Sequence, residues 1–123
     1  MPSPEHIRET VDRYLTLVAD GTAEQIAALY ADDATLEDPV GGEVHIGRQA
    51  IRGFYANIEG IERQTELHEL RVAGHEAAFL FTITVGSGEG RLRIRPIDVM
   101  EFDADGKIAT MKAYWGPQDA SPA

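Results

Sequence analysis

The chain has 123 residues, 43% of them hydrophobic, which is the size of one domain that closes a single core without staples. Its formal charge of -10 repels phosphate backbones and excludes nucleic acid as the expected partner. It holds no cysteine, so neither disulfides nor thiolate metal sites contribute, and with no apolar run at the start Met1-Pro-Ser-Pro-Glu-His6 the expectation is a cytoplasmic protein without a signal peptide or membrane span.

In chain order, Ser3 and Pro4 suit an N-cap and the first helical position. Ile7, Val11, Tyr14, Leu15 and Val18 then recur at helical spacing as far as Gly21, which puts Tyr14 on the apolar stripe. Thr22 with Gln25 three residues later reads as a capping box, opening a short second helix that buries Ile26, Leu29 and Tyr30. Ile51, Phe54, Tyr55 and Ile58 mark a third helix after Gly47. Beyond it, residues 63 to 73 look extended, with the apolar parity switching between Leu67 and Leu70 as a β-bulge would make it.

Alternating apolar residues over 75 to 85, 91 to 102 and 107 to 115 predict antiparallel strands, with Asp105-Gly106 as a tight turn between the last two. Gly86-Ser-Gly-Glu-Gly90 reads as a hairpin turn rather than a dinucleotide loop, because no helix follows it. Arg91, Arg93 and Arg95 alternate as the solvated face of their strand. The tail from Pro117 has no periodicity and is expected to be disordered. Helices gathered first and strands later point to a single α+β domain over 1–123, with about three N-terminal helices on a curved antiparallel sheet that leaves one concave apolar side.

Two carboxylates interrupt that apolar side. Ala34, Leu36 and Asp38 share one strand face, and Leu92, Ile94, Pro96, Asp98, Met100 and Phe102 share another. A carboxylate buried without a partner is costly and either raises its pKa or finds hydrogen bonds, so the pair is read either as structural caps or as acid and base groups. A phenol such as Tyr14 and a carboxylic acid held neutral are both hydrogen-bond donors and together would form an oxyanion hole, with an ionised Asp38 as the base. His6, His45, His68 and His75 are scattered, without the paired spacing of zinc ligands, and no metal is expected.

The fragments Arg13-Tyr14, Tyr30-Ala-Asp-Asp-Ala-Thr-Leu-Glu-Asp-Pro39, Phe54-Tyr55, Ile97-Asp98-Val-Met and Ala113-Tyr-Trp115, in this order along most of the chain, resemble the bacterial Δ5-3-ketosteroid isomerases. The resemblance implies a cone-shaped domain of the nuclear-transport-factor type, also called SnoaL-like, usually a homodimer. It implies isomerisation of a Δ5-3-ketosteroid to the conjugated Δ4-3-ketosteroid without any cofactor. It further implies that Asp38 moves the proton while Tyr14 and neutral Asp98 donate to the ketone oxygen, and that Tyr30 and Tyr55 extend the hydrogen-bond chain to Tyr14. Phe54, Phe79, Phe81, Met111 and Trp115 fall where an apolar lining for the steroid is needed, and Ile97 and Val99 make the outer sheet face less polar, as a dimer would. The competing readings are a SnoaL-like polyketide cyclase and a non-catalytic binding or dimerisation module of the same fold.

Overall fold

The computed structural model describes residues 2–123 and shows an α+β architecture. Among the described residues, helices α1 (Pro4–Asp20), α2 (Ala23–Ala27) and α3 (Arg48–Ala56) lie against one eight-stranded sheet. Ser3 caps α1 by accepting from the His6 N–H at 3.1 Å, a bond of a kind that contributes about 1 kcal/mol. The Thr22–Gln25 capping box of α2 forms in both directions, at 3.1 and 2.9 Å. The helix C-termini leave carbonyls without helical partners, and Arg63 donates to those of Val18, Gly21, Ile58 and Ile61, clamping the end of α1 to the segment after α3.

The strands are β1 (Tyr30–Glu37), β2 (Val44–Ile46), β3 (Arg63–Ala73), β4 (Glu76–Val85), β5 (Leu92–Ile94), β6 (Ile97–Phe102), β7 (Ile108–Tyr114) and β8 (Ala120–Pro122). Their order is β2-β1-β7-β6-β4-β5-β8, with β3 also paired to β4. The bulge expected between Leu67 and Leu70 is present as a register shift between Leu67 and Glu69. It bends β3 around α1, whose Leu15 carbonyl accepts from the Thr65 hydroxyl at 2.9 Å. The core sits between α1, α3 and the concave face, where Ile7, Val11, Ile26, Leu36, Ile51, Phe79, Met100, Ile108 and Met111 are at most 1% exposed.

Four expectations are corrected. The sheet is mixed, because β1 runs parallel to β7, with Leu36 opposite Met111. Tyr30 does not extend α2 but opens β1. The run 91 to 102 is two strands, since Pro96 has no N–H for a ladder, and Leu92 is 42% exposed instead of facing inward. The tail is ordered: Pro117–Asp119 form a 3-10 turn, and β8 then pairs with β5 through Ala120 opposite Ile94. Two prolines and small residues hid a strand that backbone pairing, rather than side-chain burial, holds in place.

Candidate active site

A cavity of about 230 Å³ opens between the helices and the concave face of the sheet. Tyr14 and Val18 of α1, Phe54 and Tyr55 of α3, and Asn57 and Ile58 just after it line one side. Phe81, Ile83 and Val85 of β4, Ile94 of β5, and Pro96, Asp98, Asp38 and Trp115 line the other. Tyr14, Asp38 and Asp98, which lie far apart in sequence, therefore share one largely apolar site.

Asp98 is 1% exposed on β6, with Phe79 of β4 and Ala113 of β7 as its cross-strand neighbours. Its Oδ1 is buried without a hydrogen-bond partner in the protein. Burial, reinforced by the negative charge of Asp38, holds its carboxyl well above the usual carboxylate range, so the neutral acid is favoured. Asp38 is half-buried, and its environment differs. Burial also raises its pKa, but Trp115 Nε1–H donates to Oδ1 at 2.8 Å and nearby His45 adds a favourable charge, both opposing the rise. Two identical groups in one cavity thus differ in how well each tolerates ionisation.

The parallel pairing of β1 and β7 brings both C-terminal ends to one edge of the sheet, which is how Trp115 reaches Asp38. Continuation of the ladder past β1 through Val40 N–H to the Ala113 carbonyl, at 2.9 Å, fixes that edge. His45 lies opposite Leu36 on β2, with its ring 5.1 Å from that of Phe54.

Tyr14 is 3% exposed, and its hydroxyl lies 3.0 Å from that of Tyr55, which in turn lies 2.6 Å from that of Tyr30. Each phenol has one proton to give. If Tyr30 donates to Tyr55 and Tyr55 to Tyr14, the Tyr14 proton is left free to point into the cavity. Burial pushes all three phenols well above their usual pKa, so they stay protonated as donors.

Of the residues expected to line a substrate pocket, the structure brings some to the cavity and not others. Phe54, Phe81 and Trp115 line the cavity, as do Tyr14 and Tyr55. Phe79 and Met111 do not; they are fully buried behind it, Phe79 with its ring 6.2 Å from Tyr14 in an edge contact and Met111 between β1 and β6. Tyr30 also sits behind the wall and reaches the site only through Tyr55. The sequence reading missed Val18, Asn57, Ile58, Ile83, Val85, Ile94 and Pro96 as lining, and the contact of Trp115 with the carboxylate. Val18 was accessible to it, lying four residues after Tyr14 on one helix face. Elsewhere, His75, Glu76 and Glu101 place ligand-type atoms within 4.8 Å of one another. They lie outside the cavity, and His75 Nε2 lies 3.3 Å from Glu101 Oε2, within hydrogen-bond distance, which accounts for the grouping.

Comparison with known proteins places the chain in a family. Residues 11–111 match the SnoaL-like domain family. Steroid Delta-isomerase of Nocardioides simplex is 52% identical over 114 residues, 92% of either chain. Epoxide hydrolase LasB of Streptomyces lasalocidi is 31% identical over 98% of this chain, which spans 45% of LasB. The solved structure of SalBIII, an epoxide hydrolase/cyclase-like enzyme with a role in pyran ring formation in the polyether salinomycin, superposes with a TM-score of 0.88 at 26% identity over the whole of both chains. The family match over most of the length, together with the 52% identical relative, assigns the chain: it is an enzyme that belongs to the SnoaL-like domain family, alongside the steroid Delta-isomerases.

Proposed function

We propose that the enzyme isomerises Δ5-3-ketosteroids to their conjugated Δ4 isomers. The observation that carries the reading is one apolar cavity holding a partly solvated, hydrogen-bonded Asp38 and a fully buried Asp98 whose Oδ1 has no protein partner. In this reading ionised Asp38 removes the proton from the carbon between ketone and alkene, leaving a dienolate. The protonated Asp38 then returns that proton two carbons away. One C–H bond breaks and another forms, so no electrons enter or leave and the reaction needs no redox partner.

Charge develops on the ketone oxygen, and a donor stabilises the transition state only if it already points where that charge appears. Tyr14 and neutral Asp98 supply such donors, and the Tyr30–Tyr55 chain holds the Tyr14 hydroxyl in orientation. The apolar walls fit a flat hydrocarbon and exclude water that would compete for the same protons. A homodimer belongs to the same proposal: Ile97 and Tyr114 pair across β6 and β7 on the outer sheet face, each 46% exposed.

The test is to mix purified protein with a Δ5-3-ketosteroid and follow the ultraviolet absorbance of the conjugated enone. A rapid rise supports isomerisation, and no rise above the spontaneous rate refutes it. A second reading, a ring-forming cyclase, draws on the likeness to SalBIII and LasB, since a base facing two donors also serves epoxide opening. It requires turnover of a hydroxy-epoxide together with inertness toward the ketosteroid.

A further inference from the structure

We propose that the C-terminal segment 116–123 is a strap that holds Trp115 on Asp38, with Asp119 as its positioning residue. The inference rests on the isomerase reading only in taking Asp38 as the base; the contact between the two side chains stands without it.

The segment begins where the sheet no longer orients Trp115. Strand β7 ends at Tyr114, opposite Ile97, so the ladder that aligns Ala113 and Tyr114 does not extend to the indole. The residues that follow are tied down closely. Gly116 N–H donates to Asp119 Oδ2 and Asp119 N–H to the Gly116 carbonyl, each at 2.9 Å, closing a turn directly behind Trp115. The Asp119 carbonyl then accepts from Arg95 N–H at 2.9 Å, between Ile94 and Pro96, both of which line the cavity. Ala123 N–H donates to the Arg91 carbonyl, also at 2.9 Å. Ser121, opposite Arg93 and midway between these two bonds, faces β5 in the same phase of the antiparallel ladder.

Burial does not account for a segment built this way. Pro117, Gln118, Asp119, Ser121 and Pro122 are exposed, so unpairing the strap costs the core little apolar surface. What it does cost is the fixed course of the chain from Trp115 to β5. A hydrogen bond weakens steeply once its donor turns off line, and an indole free to turn stops stabilising the Asp38 anion. The other titratable groups facing Asp38 are Tyr14 of α1, Tyr55 of α3 with Tyr30 behind it, His45 of β2 and Asp98 of β6. Among the described residues, the bonds of the strap go to none of them.

The experiment follows the carboxyl carbon of Asp38 by NMR from about pH 4 to about pH 9 in the wild type, Ser121→Pro and Asp119→Ala, and in each combined with Trp115→Phe. Ser121→Pro takes one N–H out of the pairing with β5 and changes no charge. Asp119→Ala opens the turn, and the loss of its negative charge would by itself make Asp38 easier to ionise. Both should nonetheless raise the proton affinity of Asp38 by about two- to fivefold, a part of the roughly tenfold rise expected for Trp115→Phe. In the Trp115→Phe background neither should add a further rise. A Ser121→Pro protein that circular dichroism shows folded and that titrates at the wild-type midpoint overturns the proposal, and so does a rise that persists undiminished without the indole. Should Ser121→Pro not fold, Asp119→Ala decides by the same two criteria. If the wild type forms no enone from a Δ5-3-ketosteroid, the isomerase reading fails while the NMR titration still decides for the strap.

Discussion

Replacing Trp115 by Phe should move the acid limb of the pH–rate profile upward. Trp115 Nε1–H donates to Asp38 Oδ1 at 2.8 Å and so stabilises the ionised form of the base. Hydrogen bonds to charged groups contribute about 1.5 to 3 kcal/mol, and about 1.4 kcal/mol corresponds to one pKa unit. The full effect is thus about one to two units, and the half-burial of Asp38 places it near one. The sign follows from the active state. Asp38 works ionised and burial already raises its pKa; without the indole the anion loses a donor, the pKa rises further, and activity disappears at a higher pH as solutions are acidified. The assay is kcat/KM for enone formation from about pH 4 to about pH 9, with far-ultraviolet circular dichroism as the control for folding. Wild-type and Trp115→Phe profiles that superimpose would refute the argument, as would a downward displacement of the limb.

Three further outcomes are expected. Tyr14→Phe and Asp98→Ala should each lower kcat by about 10² to 10³, as removal of a single oxyanion donor does, and full activity in both would remove the proposed hole. Asp98 also links folding to protons. Its folded pKa lies well above the unfolded value of about 3.9, so the folded state binds the extra proton and stability falls as pH rises between the two values, by up to about 1.4 kcal/mol per pH unit. Asp98→Asn removes that linkage: its urea midpoint should depend less on pH than that of the wild type and exceed it near neutrality, and parallel curves would contradict the assignment. For the dimer, the mass in solution should be twice 13.5 kDa and should fall toward the monomer in Ile97→Lys, while a monomeric wild type would exclude it.

Much of this was legible in the sequence because the informative signals are local. The helix caps at Ser3 and Thr22, the apolar stripe that carries Tyr14, and the alternation that turns Asp98 inward are all set by residues a few positions apart. So is the parity switch that marks the bulge in β3. What escaped depends on pairings between distant segments. The parallel contact of β1 with β7 has no periodicity of its own, and without it nothing in the sequence brings Trp115 to Asp38 across 77 positions. Alternation assigns Phe79 and Met111 to the inner face but does not say how deep that face is, so core residues behind the wall and lining residues in front of it look alike. Strand β8, with its Ser and Pro, is held by backbone pairing to β5, and apolar patterning carries no trace of such a strand.

The most direct measurement is the rate of enone formation by Asp38→Asn beside the wild type, with steroid binding followed through quenching of Trp115 in both proteins. The substitution keeps the shape and removes the base, so the rate should fall by about 10² to 10⁴ while the steroid still binds. An Asp38→Asn enzyme that turns over at the wild-type rate would mean that the proton is carried by some other group, and that the roles given to the two carboxylates are wrong.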